Sequence, residues 1–345
     1  MSEIKYKSIP LEEAVGLMLG HDLTQIVPGE FKGPAFKKGH IIKEEDVPLL
    51  LDMGKRNIFV LDPRDGYVHE NDAAERIAKA ASGRGIRLTE PSEGRINFIS
   101  TDAGLLKINK EALLKINSVE DITFATIHGN QIVEPGTGLA GTRIIPLATF
   151  ENNIGEVERI CKEYYPVIDV KPFRNLKVGV VTTGSEVYSG RIKDKFGPVL
   201  KKKFADLNCE VIKQVFVSDD IEKTVAAIQE LIGEGAELIA LTGGMSVDPD
   251  DQTPSSIRAA GAKVVTYGAP VYPGAMFMLA YIGDIPVVGL PGCVMYHRAS
   301  IFELIVPLIV AGEEVTKEYI SSLGHGGFCS NCKECRYPVC GFGKQ

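Results

Sequence analysis

From residue 177 to residue 290, short apolar runs rich in β-branched residues alternate with segments of helical length, and few folds satisfy that alternation. Residues 177–182 (KVGVVT), 210–217, 237–241 and 286–290 read as strands. Residues 198–207 and 221–232 read as helices, the second capped from Ser218-Asp219-Asp220. Strands separated by helices of about 10–15 residues predict a parallel sheet with helices on both faces. Ligands in such a sheet bind in the crevice beyond the carboxyl ends of the strands, so the residues just after each strand carry the functional information.

Three glycine-containing turns stand there. Thr183-Gly184-Ser185-Glu186 follows the first strand, Thr242-Gly243-Gly244-Met245-Ser246 another, and Pro291-Gly292-Cys293 a third. Glycine lets backbone approach a ligand closely, and N–H groups in such turns suit phosphate, although any one of them can also simply make a tight turn. Asp248, Asp250 and Asp251 follow the second turn, and Asp194 could fold back toward them from the loop after Glu186. Clustered carboxylates beside a phosphate cradle suit Mg²⁺; Asp251-Gln252-Thr253-Pro254 suits a helix cap equally well.

These residues carry a resemblance. Thr183-Gly184-Ser185-Glu186-Val187, Thr242-Gly243-Gly244-Met245-Ser246-Val247-Asp248, Pro273-Gly274 and Gly289-Leu290-Pro291-Gly292 resemble, in order and spacing, the motif set of the molybdopterin-binding domain shared by molybdopterin molybdotransferases and adenylyltransferases. The resemblance covers about residues 175–312 and implies a three-layer α/β/α domain that holds molybdopterin at the glycine turns. It implies cofactor-binding roles for Thr183, Gly184, Ser185, Glu186, Thr242, Gly243, Gly244, Ser246, Pro273, Gly274, Pro291 and Gly292. It further implies that Asp194 and Asp251 are the acidic positions of metal-assisted adenylyl chemistry. The expected Mg²⁺ ligands are Asp194, Asp248 and Asp251. The chain departs from the molybdotransferase pattern at Cys293-Val294, where that pattern has Asn and Pro, at Ala275, where it has Lys, and at Lys195-Phe196, where it has Ser-Asn.

The rest of the chain reads differently. Short strands and helices predict a β-rich α+β region over residues 1–170, with helices at 11–19, 45–53, 69–81 and 111–116 and a hairpin turn at Asp65-Gly66-Tyr67. The domain is expected over 171–318, and a Cys-rich tail over 319–345. Of seven cysteines, Cys329, Cys332, Cys335 and Cys340 fall in the last 17 residues, behind a Gly324-His325-Gly326-Gly327 hinge. The spacing of the first three matches Fe–S cluster ligands, four thiolates also suffice for Zn²⁺, and a metal-free redox tail is the third reading. Cys293, alone beside an apolar strand, reads as a small buried hydrophobe or a soft group facing the ligand.

A formal charge of −7 on 345 residues argues against a nucleic-acid protein working through a broad basic face. The longest apolar run, 301–311, contains Glu303 and Pro307 and is too short for a bilayer span. With no signal-like N-terminus, the expected location is the cytoplasm. The expected function is molybdenum cofactor biosynthesis: binding of molybdopterin or its adenylylated form, with Mg²⁺-assisted molybdate insertion. The alternatives are a cofactor carrier serving a molybdoenzyme apoprotein and a nucleotide-phosphate hydrolase. The resemblance also implies a homodimer.

Overall fold

The computed structural model describes residues 7–17, 19–27, 31–37, 39–60 and 66–344. The chain divides into two compact units: Met1–Thr101, Ile108–Ile127 and Pro135–Asp169 form the first, and Asp102–Lys107, His128–Glu134 and Val170–Gln345 the second.

The first unit is α+β. An antiparallel sheet orders its strands as Ile86–Leu88, Arg95–Ser100, Gly138–Ile144 and Ile122–Thr126, with Phe98 stacked on Phe124 at 5.0 Å. The helices Glu70–Ala81 and Glu151–Glu163 are joined by Arg76, which donates to both Glu151 and Glu158. A separate apolar cluster includes Leu11, Leu19, Ile42, Leu50 and Ile58. The helix expected over 11–19 is only a 3-10 turn, Leu11–Glu13, because Gly16 takes a left-handed φ of 84° and its N–H donates to the Ile42 carbonyl instead of continuing a helix. In the expected Asp65-Gly66-Tyr67 turn, Gly66 has φ 74° and Tyr67 opens a strand; Asp65 lies outside the described residues.

The second unit is the α/β domain. Its main sheet has strands β1 (Lys177–Thr183), β2 (Glu210–Val217), β3 (Leu238–Thr242), β4 (Lys263–Tyr267), β5 (Met278–Ile282) and β6 (Ile285–Leu290). They form one sheet in the order β2-β1-β3-β6-β5-β4. Only β5 runs against the others, since β5 and β6 form a hairpin and β4 pairs antiparallel with β5.

The helices are α1 (Ser185–Tyr188), α2 (Phe196–Ala205), α3 (Ile221–Gly233), α4 (Thr253–Ala259), α5 (Cys293–Tyr296), α6 (Ile301–Val310) and α7 (Lys317–Ser322). Side chains alternate across each strand, so adjacent residues feed opposite cores. Val178, Val180, Leu238, Ala240 and Val288 pack with Leu200 and Phe204 of α2 and with the apolar α6. Val181, Ile239, Leu241 and Val287 pack with Ala227, Ile228 and Leu231 of α3 and Ile257 of α4. Continuous apolar strands such as β3, buried at every residue, are what a sheet covered on both faces requires. Three layers, α/β/α, are the result. Among the described residues no helix is long and apolar enough to cross a membrane.

Candidate functional site

Strand register fixes the site. β1 and β3 are parallel neighbours with Thr182 beside Thr242, and β3 and β6 are parallel neighbours with Thr242 beside Leu290. Thr183-Gly184, Gly243-Gly244 and Pro291-Gly292 therefore leave three adjacent strands at one edge of the sheet. Tyr267, at the end of β4, pairs with Met278, which is itself opposite Gly289. Pro273-Gly274, in the β4–β5 connection, thus lies at the same edge. Chain order reverses between β1 and β3, with β2 on the outer side of β1, and that reversal opens the crevice of a doubly wound sheet.

The first two turns are locked together. Gly243 has φ 87°, and a Cβ there would lie 2.1 Å from the Thr183 carbonyl oxygen. Gly244 has φ 53°, and its Cβ would lie 2.9 Å from the Thr253 hydroxyl. Thr253, the first residue of α4, donates its hydroxyl proton to the Gly243 carbonyl at 2.8 Å, and its N–H donates to the Gly244 carbonyl at 3.2 Å. The third turn differs: Gly292 has an ordinary φ of −53°, and a Cβ there would meet nothing within 4 Å. Glycine at 292 serves neither backbone strain nor packing, which leaves the space in front of it open. Gly274, with φ 138°, is instead required by packing, since its Cβ would lie 2.4 Å from that of Ile301.

One polar atom at this edge is orphaned. Thr242 is fully buried, and its hydroxyl finds no hydrogen-bond partner among the described residues. Its register neighbour Thr182 accepts from the Gln214 amide at 2.9 Å, and the same amide donates to Asp194 at 2.8 Å. Asp194 also accepts from the N–H groups of Phe196 at 2.9 Å and Gly197 at 3.0 Å, so its carboxylate caps the start of α2. Asp251 accepts from the Asp248 N–H at 3.1 Å, which closes an exposed turn containing Asp250. Tyr267, which the sequence did not single out, donates to the Met245 carbonyl at 3.2 Å; burial and the nearby Asp251 charge push its phenol above the ordinary range. Asp219, expected only as part of a cap, accepts from both the N–H and the hydroxyl of Ser185 at 2.9 Å. A carboxylate thus already takes the donors that the sequence suggested for phosphate. Glu186 and Ser246 are exposed.

The acidic residues do not fit a magnesium site as arranged. Three donors hold Asp194 under α2, and among the described residues no three His, Cys, Asp or Glu side chains converge on one ion. No chemical step is therefore drawn through a metal here. Beside the third turn a cavity of about 750 Å³ opens between α2 and the α5–α6 segment. Lys202 and Lys203 line it, paired with Asp206 and Glu303 respectively. Burial pushes the Cys293 thiol up, as it does those of Cys161, to about 11, and of Cys209.

Residues 179–311 match the family model described as a probable molybdopterin binding domain. This segment belongs to the molybdopterin-binding domain family. Residues 8–62 match a separate model for a domain of unknown function. The molybdopterin-binding domain is similar to part of a molybdopterin molybdenumtransferase of Haemophilus influenzae, with 31% identity over 153 residues, covering 41% of this chain and 37% of that protein. A CinA-like protein of Mycobacterium sp. is 30% identical over 90 residues, covering 26% of this chain and 21% of its own. Among solved structures, a tungsten cofactor synthesizing protein MoaB from Pyrococcus furiosus aligns at 26% identity and a TM-score of 0.31, covering 35% of this chain and 84% of that one. The chain spans well under half the length of these curated relatives.

Proposed function

We propose that the molybdopterin-binding domain holds molybdopterin or its adenylylated form at the β1, β3 and β6 turns, as part of molybdenum cofactor biosynthesis. One observation carries this reading: the turns leave adjacent parallel strands at the point where chain order reverses, with Gly292 facing open space. Main-chain N–H groups of Gly243, Gly244 and Gly292 contact the phosphate and pterin, and at Gly292 the missing side chain admits that approach. The unsatisfied Thr242 hydroxyl supplies one further polar contact at the crevice floor. Asp194 acts as a positioning residue, because it fixes the start of α2 and Gln214 rather than facing the ligand. On this reading Asp251, which closes the exposed loop beside Tyr267 by accepting from the Asp248 N–H, is the acidic side chain on which cleavage of the nucleotide depends.

Within this reading the chain supports molybdate insertion, the reaction named for its molybdenumtransferase relatives. The engagement of Asp194 in capping favours a second reading, a carrier that delivers finished cofactor to a molybdoenzyme. Turnover separates the two. Incubation with adenylylated molybdopterin and molybdate releases AMP if the chain is the transferase, and Asp251→Ala abolishes the release; the carrier binds without releasing AMP.

A further inference from the structure

The C-terminal cysteines form a site of their own. The loop that carries them is closed at its base, where the Gly343 N–H donates to the Gly326 carbonyl at 2.9 Å. The Cys329 N–H donates to the Tyr272 carbonyl at 2.8 Å, and the Tyr272 N–H donates to the Gly327 carbonyl at the same distance. Buried Phe342 and the Tyr337 hydroxyl, which donates to the Glu303 carbonyl at 3.1 Å, pin the far side of the loop against α6. The glycines expected to act as a hinge instead permit tight packing: a Cβ on Gly327 would lie 2.4 Å from the carbonyl oxygens of Leu323 and Pro270. A chain segment anchored at both ends holds its thiols in place without help from a metal.

Cys329, Cys332, Cys335 and Cys340 all line one cavity of about 360 Å³. None is in a disulfide, and Cys329, Cys335 and Cys340 are only partly exposed. Arg298 and Arg336 share the lining, no Asp or Glu does so among the described residues, and the Arg298 guanidinium donates to the Cys335 carbonyl at 3.5 Å.

We propose that these four cysteines hold a [4Fe–4S] cluster. A single Zn²⁺ needs four sulfurs drawn to about 2.3 Å of one point. Here no three of them converge on an ion among the described residues, yet all four surround one roomy cavity. A cluster is bound in that way, each thiolate taking a separate iron so that the sulfurs stay apart. The cluster and its thiolates carry net negative charge, which Arg298 and Arg336 offset from the cavity wall. The order C-x2-C-x2-C adds the spacing found among cluster ligands. The assignment does not depend on the pterin reading, because the cavity is lined by the loop and by residues 296–299 and not by the glycine turns.

The test is anaerobic reconstitution of the full-length, pterin-free chain with ferrous iron and sulfide. The expected result is about four iron and four labile sulfide per chain, with visible absorbance that dithionite bleaches. Cys332→Ala, at the exposed thiol, loses most of the iron while its far-ultraviolet circular dichroism stays that of the parent, and Cys293→Ser, outside the cavity, keeps both iron and sulfide. Tight zinc at one per chain without labile sulfide would overturn the proposal. So would a full iron content in Cys332→Ala, or an equal loss in Cys293→Ser.

Discussion

The hydroxyl of Thr183 stands 3.0 Å from that of Thr253. Thr253 also donates to the Gly243 carbonyl at 2.8 Å, and the Thr183 hydroxyl also reaches the Thr242 carbonyl at 3.4 Å. Through this contact the end of β1, the turn after β3 and the start of α4 form one rigid corner at the crevice. The corner depends on the absence of a side chain at 243. The Gly243→Ala variant places a Cβ 2.1 Å from the Thr183 carbonyl oxygen at a left-handed φ, and we expect it to lose about 3 kcal/mol of stability. Urea unfolding followed by circular dichroism measures this; a loss below about 0.5 kcal/mol would mean that the turns are not in contact.

Gly292 gives the converse prediction. Since its φ is ordinary and a Cβ meets nothing within 4 Å, Gly292→Ala keeps the stability of the parent within about 0.5 kcal/mol. If molybdopterin approaches this turn, the same methyl group weakens pterin binding about tenfold, or about 1.4 kcal/mol. Equilibrium titration with the pterin, alongside a melting curve, separates the two effects.

Thr242 tests whether the orphaned hydroxyl serves the ligand. Replacing it with the near-isosteric valine removes a buried unsatisfied group, so Thr242→Val is expected to stabilise the ligand-free chain by about 1 kcal/mol. Pterin affinity falls in the same variant. A variant that is less stable and binds normally would assign the hydroxyl a structural role.

A pH-dependent step follows from Glu313. Burial alone would raise its carboxyl, but hydrogen bonds from Lys107 and Lys171 outweigh burial and hold it below 4.5. A depressed folded-state value means that the folded state binds fewer protons than the unfolded chain. The contribution is therefore complete above pH 4.5 and is lost as pH falls through the folded value. In Glu313→Gln the melting temperature should depend less steeply on pH below 4.5 than in the parent.

Much of the domain was legible because its signals are local. β-branched runs, helix-length spacers and a glycine after each strand give the sheet, its two covered faces and the edge where the turns gather. Partners distant in sequence were not legible. Asp194 reads as a loop acid that could fold back toward Asp248, Asp250 and Asp251 until Gln214, twenty residues on, is seen to share its carboxylate, and nothing near Ser185 announces Asp219. The same limit hid the strand pairing of 104–106 with 131–133, which places pieces of the first half in the second unit. The helix expected over 11–19 failed for a tertiary reason, since Gly16 bonds to Ile42.

The central claim is that the crevice between β1 and β3 receives a molybdopterin. Chain purified anaerobically from a molybdate-fed host, then oxidised and analysed by fluorescence and mass spectrometry, measures this directly. The account predicts a pterin in amounts approaching the protein, and markedly less with Gly292→Ala although that variant folds normally. Folded protein free of pterin, and unable to take up added molybdopterin at micromolar concentration, would contradict it.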